Sequence, residues 1–196
     1  GTKQNINNVQ AQQLVQAGLT QQAATAIIAR RNASGQFTGM NQVFLTPGLD
    51  NRAAGVLLDR FTTTAEPRVE GKVNWNTATE DVLRLDPNIT SDIAQAIVSR
   101  QSSGFANLSE ILEIPGVTVQ LLAQIADSVC IGSDTFVVRT MGTAGSTTVS
   151  LQAVVRVDST GPVVLRVDET QDPDMTLQWE WEAETTGETV LAEESQ

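Results

Sequence analysis

The chain has 196 residues, 40% of them apolar, 4% aromatic and 18% charged, so it reads as globular and Ala/Val/Leu-packed, long enough for one large domain or two to three small ones. Twelve basic against 23 acidic residues give a net charge of -11, poorly suited to holding a polyphosphate backbone by bulk electrostatics. There is no histidine, which removes His-based triads and His-ligated zinc or haem, and the single cysteine, Cys130, excludes an internal disulfide or a cysteine cluster.

The opening Gly1-Thr2-Lys3-Gln4-Asn5 lacks the apolar core of a signal peptide. Its leading Gly reads as a tag scar on a fragment whose natural start lies upstream. No run approaches the roughly 20 apolar residues that a bilayer span takes.

Two segments about 70 residues apart repeat each other. Residues 20–30 (TQQAATAIIAR) align without gaps to residues 90–100 (TSDIAQAIVSR), and five of these eleven positions are identical. Gly35 and Phe37 answer to Gly104 and Phe105, and Pro47-Gly48-Leu49 to Pro115-Gly116-Val117. Ile6-Asn7-Asn8 answers loosely to Val73-Asn74-Trp75-Asn76.

In the first copy the pattern predicts a helix over Gln10–Ala17 and a turn at Gly18-Leu19. Thr20 then caps a helix to about Arg31, with Ala23, Ala24, Ile27 and Ile28 as its buried stripe. A loop at Asn32–Gly35 leads to a short helix, Met40–Leu45, stopped by Thr46-Pro47-Gly48. Asp50 caps a last helix to about Phe61. A joint at 62–67 follows. In the second copy Thr77 and Glu80 read as a capping box, Pro87-Asn88 breaks that helix, and Thr90 caps one with Ile93, Ala94, Ile97 and Val98 inward. Leu108–Glu113, Pro115-Gly116 and a helix over Thr118–Val129 with Leu121, Leu122 and Ile125 buried complete it.

After Ile131-Gly132 the period changes to two. Thr135–Met141, Thr147–Asp158 and Pro162–Asp168 read as strands, with Thr176–Glu182 as a fourth candidate and turns at Gly142–Gly145 and Ser159–Gly161. Residues 1–130 hold nine basic and eleven acidic groups, a net of -2, whereas 131–196 hold three and twelve, a net of -9. The expected fold is α+β: a helical module over 1–64, another over 65–131, antiparallel strands over 132–185, and an acidic tail over 186–196.

The order of Val73-Asn74-Trp75-Asn76-Thr77-Ala78, a helix, a hairpin, the Ala96–Arg100 run, Gly104-Phe105 and Ile114-Pro115-Gly116 resembles tandem helix-hairpin-helix, SAM-like modules. Two families share it: the competence-type DNA-binding module, and the minor pseudopilin K of type II secretion (general secretion pathway protein K). In the latter, two such modules sit inside a pseudopilin whose C-terminal strands follow them, and Ser133–Arg139 and Leu151–Arg156 resemble those strands. The resemblance covers about 5–168. It implies a non-enzymatic structural subunit that caps the tip of a periplasmic pseudopilus with other minor pseudopilins. The full-length protein would be anchored in the inner membrane by an N-terminal helix absent from this chain, which the fold reading takes as truncated at its N-terminus.

A DNA-binding hairpin brings two glycines up to a phosphate. The four hairpins here (Gly18-Leu19-Thr20, Gly48-Leu49-Asp50, Asn88-Ile89-Thr90 and Gly116-Val117-Thr118) keep at most one glycine, with a Thr or Asp in place of the second. That residue reads as an N-cap, so no nucleic acid is expected. DNA binding, and a free-standing interaction adaptor, remain the alternatives. Asp168, Asp172 and Asp174, with Glu169, could offer oxygen ligands to calcium, against a solvated acidic turn. Trp179 and Trp181 point one way on the fourth candidate strand and could anchor an interface; Trp75 fits a core role equally well. Arg30-Arg31 reads as an anion patch or as dipole-complementing charge at a helix C-terminus. Asp86 and Asp92 read as caps, and Cys130 as a core residue. No nucleophile–base pair or phosphate loop is evident, and no catalytic residue or cofactor is expected.

Overall fold

The computed structural model describes residues 3–66, 69–158 and 160–170. The fold is α+β, and the chain divides into two compact units between Ser133 and Asp134. The candidate strand at 176–182 and the acidic tail lie outside the described residues.

The first unit contains both repeats, matched element by element. The first runs β1 (Gln4–Asn5), α1 (Ala11–Ala17), α2 (Gln21–Ser34), α3 (Met40–Phe44), α4 (Asn51–Arg60) and β2 (Phe61–Thr62). The second runs β3 (Val73–Asn74), α5 (Glu80–Leu83), α6 (Ser91–Gln101), a 3₁₀ helix (Leu108–Glu113), α7 (Val119–Ile125) and β4 (Val129–Cys130). In each repeat the first strand pairs in parallel with the last: Gln4 lies opposite Phe61, and Val73 opposite Val129. These two-residue ladders are too short for a periodicity signal and were not expected.

The helices form where local chemistry favours them. Thr20, Asp50, Thr90 and Thr118 each accept a hydrogen bond from the third amide of the helix they open, as expected. Thr77 does not cap. The amides of Thr77 and Ala78 both donate to the Asn74 carbonyl, so residues 74–78 form a turn and Thr79 caps a helix of four residues. The Asn32–Gly35 loop is shorter than expected because α2 continues to Ser34. The Thr118–Val129 helix ends at Ile125, and the chain then turns into β4. Val98 faces solvent and Leu121 is half-buried, while Ile27 and Ile97 are fully enclosed at equivalent positions. Burying such a side chain contributes roughly 1.5–3 kcal/mol.

The two modules share one core and meet reciprocally: α3 packs on α7, and α4 on the 3₁₀ helix. Asp127, just after α7, accepts hydrogen bonds from the amides of Met40 (2.7 Å) and Asn41 (3.3 Å) at the start of α3. Its counterpart Asp59 accepts from the Ser109 amide (2.9 Å) at the start of the 3₁₀ helix. Each module therefore uses a carboxylate to cap the other's third helix. The Asn41 side chain adds a bond to the Gln124 carbonyl (3.1 Å) and accepts from the Asp127 amide (3.1 Å). A Cβ on Gly39 would collide with the Asp127 carboxylate.

The second unit holds a three-stranded antiparallel sheet in the order β5 (Thr135–Ala144), β6 (Thr147–Asp158), β7 (Gly161–Thr170). Gly142 lies inside β5, and Gly145, at positive φ, turns the hairpin. β7 bulges opposite Val154/Val155, where Leu165 is the extra residue. The register sorts the side chains by face. Phe136, Val138, Leu151, Val155, Val164 and Val167 share one face with Thr140 and Glu169, whereas Arg139, Gln152, Arg156, Arg166 and Asp168 share the other with Val137, Met141, Val154 and Val163. On the second face Arg139 donates to Gln152 (3.0 Å) and Arg166 pairs with Asp168 (2.8 Å). The first face is the more apolar, with Phe136 49% and Val164 59% exposed, and the second also exposes Val137 and Met141.

Removing one reciprocal cap tests the joint between the modules. Asp127→Ala should cost about 1–2 kcal/mol in urea unfolding of the chain, and Gly39→Ala should cost at least as much by displacing the same carboxylate.

Candidate functional site

The hairpins are where a helix-hairpin-helix would hold a ligand, so the fate of their amides is informative. In the first, the Gly18 amide donates to the Val15 carbonyl (2.9 Å) and the Leu19 amide to the Leu14 carbonyl (3.1 Å). In the third, the Asp86 carboxylate accepts from both the backbone and side-chain nitrogens of Asn88 (2.9 Å each), and the Ile89 amide donates to the Asp86 carbonyl (3.0 Å). Asp86 thus orders the turn, and Thr90 is the cap; Asp92 sits in the first turn of α6. In the fourth, the Val117 amide donates to the Ile114 carbonyl (3.0 Å). Gly116 adopts φ 89° with its Cβ position 3.0 Å from Ile93, so this corner lies hard against α6.

The asparagine run near the start of each module closes it. The Asn7 side-chain amide donates to the Phe37 carbonyl (2.9 Å), and its oxygen accepts from the Phe37 amide (2.8 Å). Asn76 repeats this with Phe105 (3.0 and 2.7 Å) and donates also to the Ile131 carbonyl (2.7 Å). Asn5 and Asn74 in turn accept from the amides of Asn7 and Asn76. Side chains in the last turns of α2 and α6 finish the closure. The Arg31 guanidinium donates to the carbonyls of Ile6, Asn7 and Val9 (2.7–3.0 Å), so it is committed to the fold and is no anion patch. Gln101 takes its place in the second module, on the carbonyls of Trp75 and Ala78.

Trp75 is buried (1% exposed) and meets Phe105 edge-on at 6.4 Å. Arg100 lies over the Phe105 ring, 5.5 Å from its centroid, and pairs with Glu110 (3.1 Å). The Ala106 amide, then the Asn107 side chain and amide, with the Arg100 charge, hold the Glu110 carboxyl below its ordinary range. Cys130 sits half-buried on β4, where burial pushes its thiol above the ordinary range against smaller pulls from a Gly132 backbone hydrogen bond and the Lys72 charge.

Of the candidate calcium ligands, Asp168 lies on β7 paired with Arg166, while Asp172 and Asp174 lie outside the described residues, as do Trp179 and Trp181. Among the described residues no three His, Cys, Asp or Glu side chains gather as a metal site, and no helix is long and apolar enough to cross a membrane.

A helix-hairpin-helix motif family model matches residues 69–130, which is the second module from just before β3 to the end of β4. No curated protein and no solved structure matches the chain.

Two measurements follow from these contacts. Asn76→Asp removes both side-chain donations to carbonyls and should cost about 2 kcal/mol or more in urea unfolding. Its effect should appear as lost amide-exchange protection across 73–130. For Cys130, a raised thiol value means the folded chain holds that proton more tightly. Its contribution to stability is therefore complete below the unfolded thiol value and is lost as pH rises through the folded one. Iodoacetamide should alkylate the folded protein at pH 8 several-fold more slowly than the urea-unfolded chain, and the gap should narrow as pH rises.

Proposed function

We propose that the chain is an assembly subunit of minor-pseudopilin type, with no catalytic role. In this reading the helical unit is the bulk projected from the tip of a periplasmic pseudopilus, and the sheet is the mount. One observation carries it: a sheet whose register places Phe136, Val138, Leu151, Val155, Val164 and Val167 on one open face, while the charged side chains Arg139, Arg156, Arg166 and Asp168 stand on the other among Val137, Met141, Val154 and Val163. Such a face asks for an apolar covering element. A pilin-type helix, carried by sequence before the first module and continuing into the inner membrane, fits that need. The chain order of two helical modules followed by strands, and hairpins closed on their own caps, support the same reading. No cofactor enters it.

The test is association with the other minor pseudopilins of a type II secretion system, using protein that carries the pilin-type helix. Val155→Glu, on the more apolar face, should weaken association about tenfold or more, while Gln152→Glu, on the opposite face, should leave it near wild type. Equal loss, or no association in either case, would count against the reading. Duplex DNA titrated at low salt should give a flat response; salt-sensitive binding would favour the competence-type alternative.

A further inference from the structure

Residues 131–196 contain three basic side chains, Arg139, Arg156 and Arg166, one on each strand of the sheet. The register places all three on the same face. Across the ladders Arg139 lies opposite Gln152, Arg156 opposite Thr135 and Val163, and Arg166 opposite Val154, so none of these cross-strand neighbours is a carboxylate. Arg166 pairs along its own strand with Asp168, and Asp158, at the end of β6, accepts from the Thr160 amide and hydroxyl (2.8 and 2.6 Å). Three cations against these two acids leave one net positive charge, whereas Glu169 is the only charged strand residue of the opposite face.

The arginine face is also partly apolar. Val137 (55% exposed) and Met141 (47%) stand on it, and the Arg166 side chain is 71% exposed. A guanidinium takes two kinds of partner, a carboxylate in its plane and an aromatic ring over it. A face that mixes guanidiniums with apolar side chains therefore suits a segment carrying acids and aromatic rings together.

Residues 171–196 are such a segment. They hold eight of the twelve acidic groups of 131–196 and no basic one, and Trp179 and Trp181 lie among Glu180, Glu182 and Glu184. The segment follows directly on β7, the outer strand of the described sheet. Trp179 comes nine residues after Thr170, about 30 Å of extended chain. Crossing the sheet from β7 to β5 takes only two strand spacings of about 4.8 Å each. Every arginine is within that reach, and the covalent tether raises the effective concentration to roughly millimolar.

We propose that residues 171–196 dock on the Arg139/Arg156/Arg166 face of their own chain's sheet, through Trp179, Trp181 and the carboxylates around them. The rings cover apolar side chains and guanidinium planes, and the acids meet the positive face of an otherwise acidic unit. The opposite face is left as it is. The inference rests on register and composition within the second unit and does not depend on the assembly reading.

The experiment is fluorine NMR of the full chain labelled with fluorotryptophan, its signals assigned by Trp179→Phe and Trp181→Phe. Expected are Trp179 and Trp181 signals displaced from their positions in urea. Arg156→Gln/Arg166→Gln should return them most of the way, and high salt should return them in part, while Glu169→Gln on the opposite face leaves them in place. The reverse change separates docking from folding of the sheet. Trp179→Ala/Trp181→Ala should shift the Nε signals of Arg156 and Arg166, while the amides of β6 keep their exchange protection. The proposal is overturned if the two tryptophan signals already sit at their unfolded positions in the native chain, or if Glu169→Gln moves them as far as the arginine variant does. It is equally overturned if the arginine signals ignore the tryptophans. Displacement that fades on hundredfold dilution also overturns it, since the face would then belong to a second copy's segment.

Discussion

Two asparagine side chains hold the helical unit in shape. A bundle of helices only four to fourteen residues long cannot rely on helix propensity, because short helices are marginal alone. Something must fix where each module's chain begins relative to where its loops pass. Asn7 and Asn76 do this by spending both the donor and the acceptor of one amide on a single backbone residue across the module, Phe37 or Phe105. A carboxamide is the smallest side chain able to mimic a peptide group in both senses. The ladders, the caged aromatic rings and the Arg31 or Gln101 contacts are all arranged around that fixed point.

Once each module is closed, joining them is a problem of exposed helix ends. The third helix of each is short and begins where the other module's last helix finishes. Asp59 and Asp127 resolve both ends at once, and symmetry follows from the duplication because equivalent residues meet equivalent partners. Amides of three hairpins, those of Gly18, Leu19, Ile89 and Val117, bond inside their own turns, and Asp50 caps the helix after the second.

The parts of this fold visible in the sequence were the local ones. Thr20, Asp50, Thr90 and Thr118 announce helix starts because a cap is a contact three residues long. Alternation of Val and Thr likewise announces the strands, since a pleat needs no distant partner. Thr77 misled because Asn74 and Asn76 capture the intervening chain in a turn before a helix can start. The parallel ladders and the Arg31 contacts were hidden by their long sequence separation. Asp59 did leave a trace: an acid in the last turn of a helix opposes the helix dipole, and so asks for a partner elsewhere.

The parallel pairing of first and last strands has an architectural outcome. Because Gln4 lies beside Phe61, and Val73 beside Val129, each module receives the chain and releases it through a single doorway. A cassette with neighbouring entry and exit can be copied, or spliced into a host fold, without prying apart what surrounds it. Two such cassettes in series, matched element by element, are what that freedom permits.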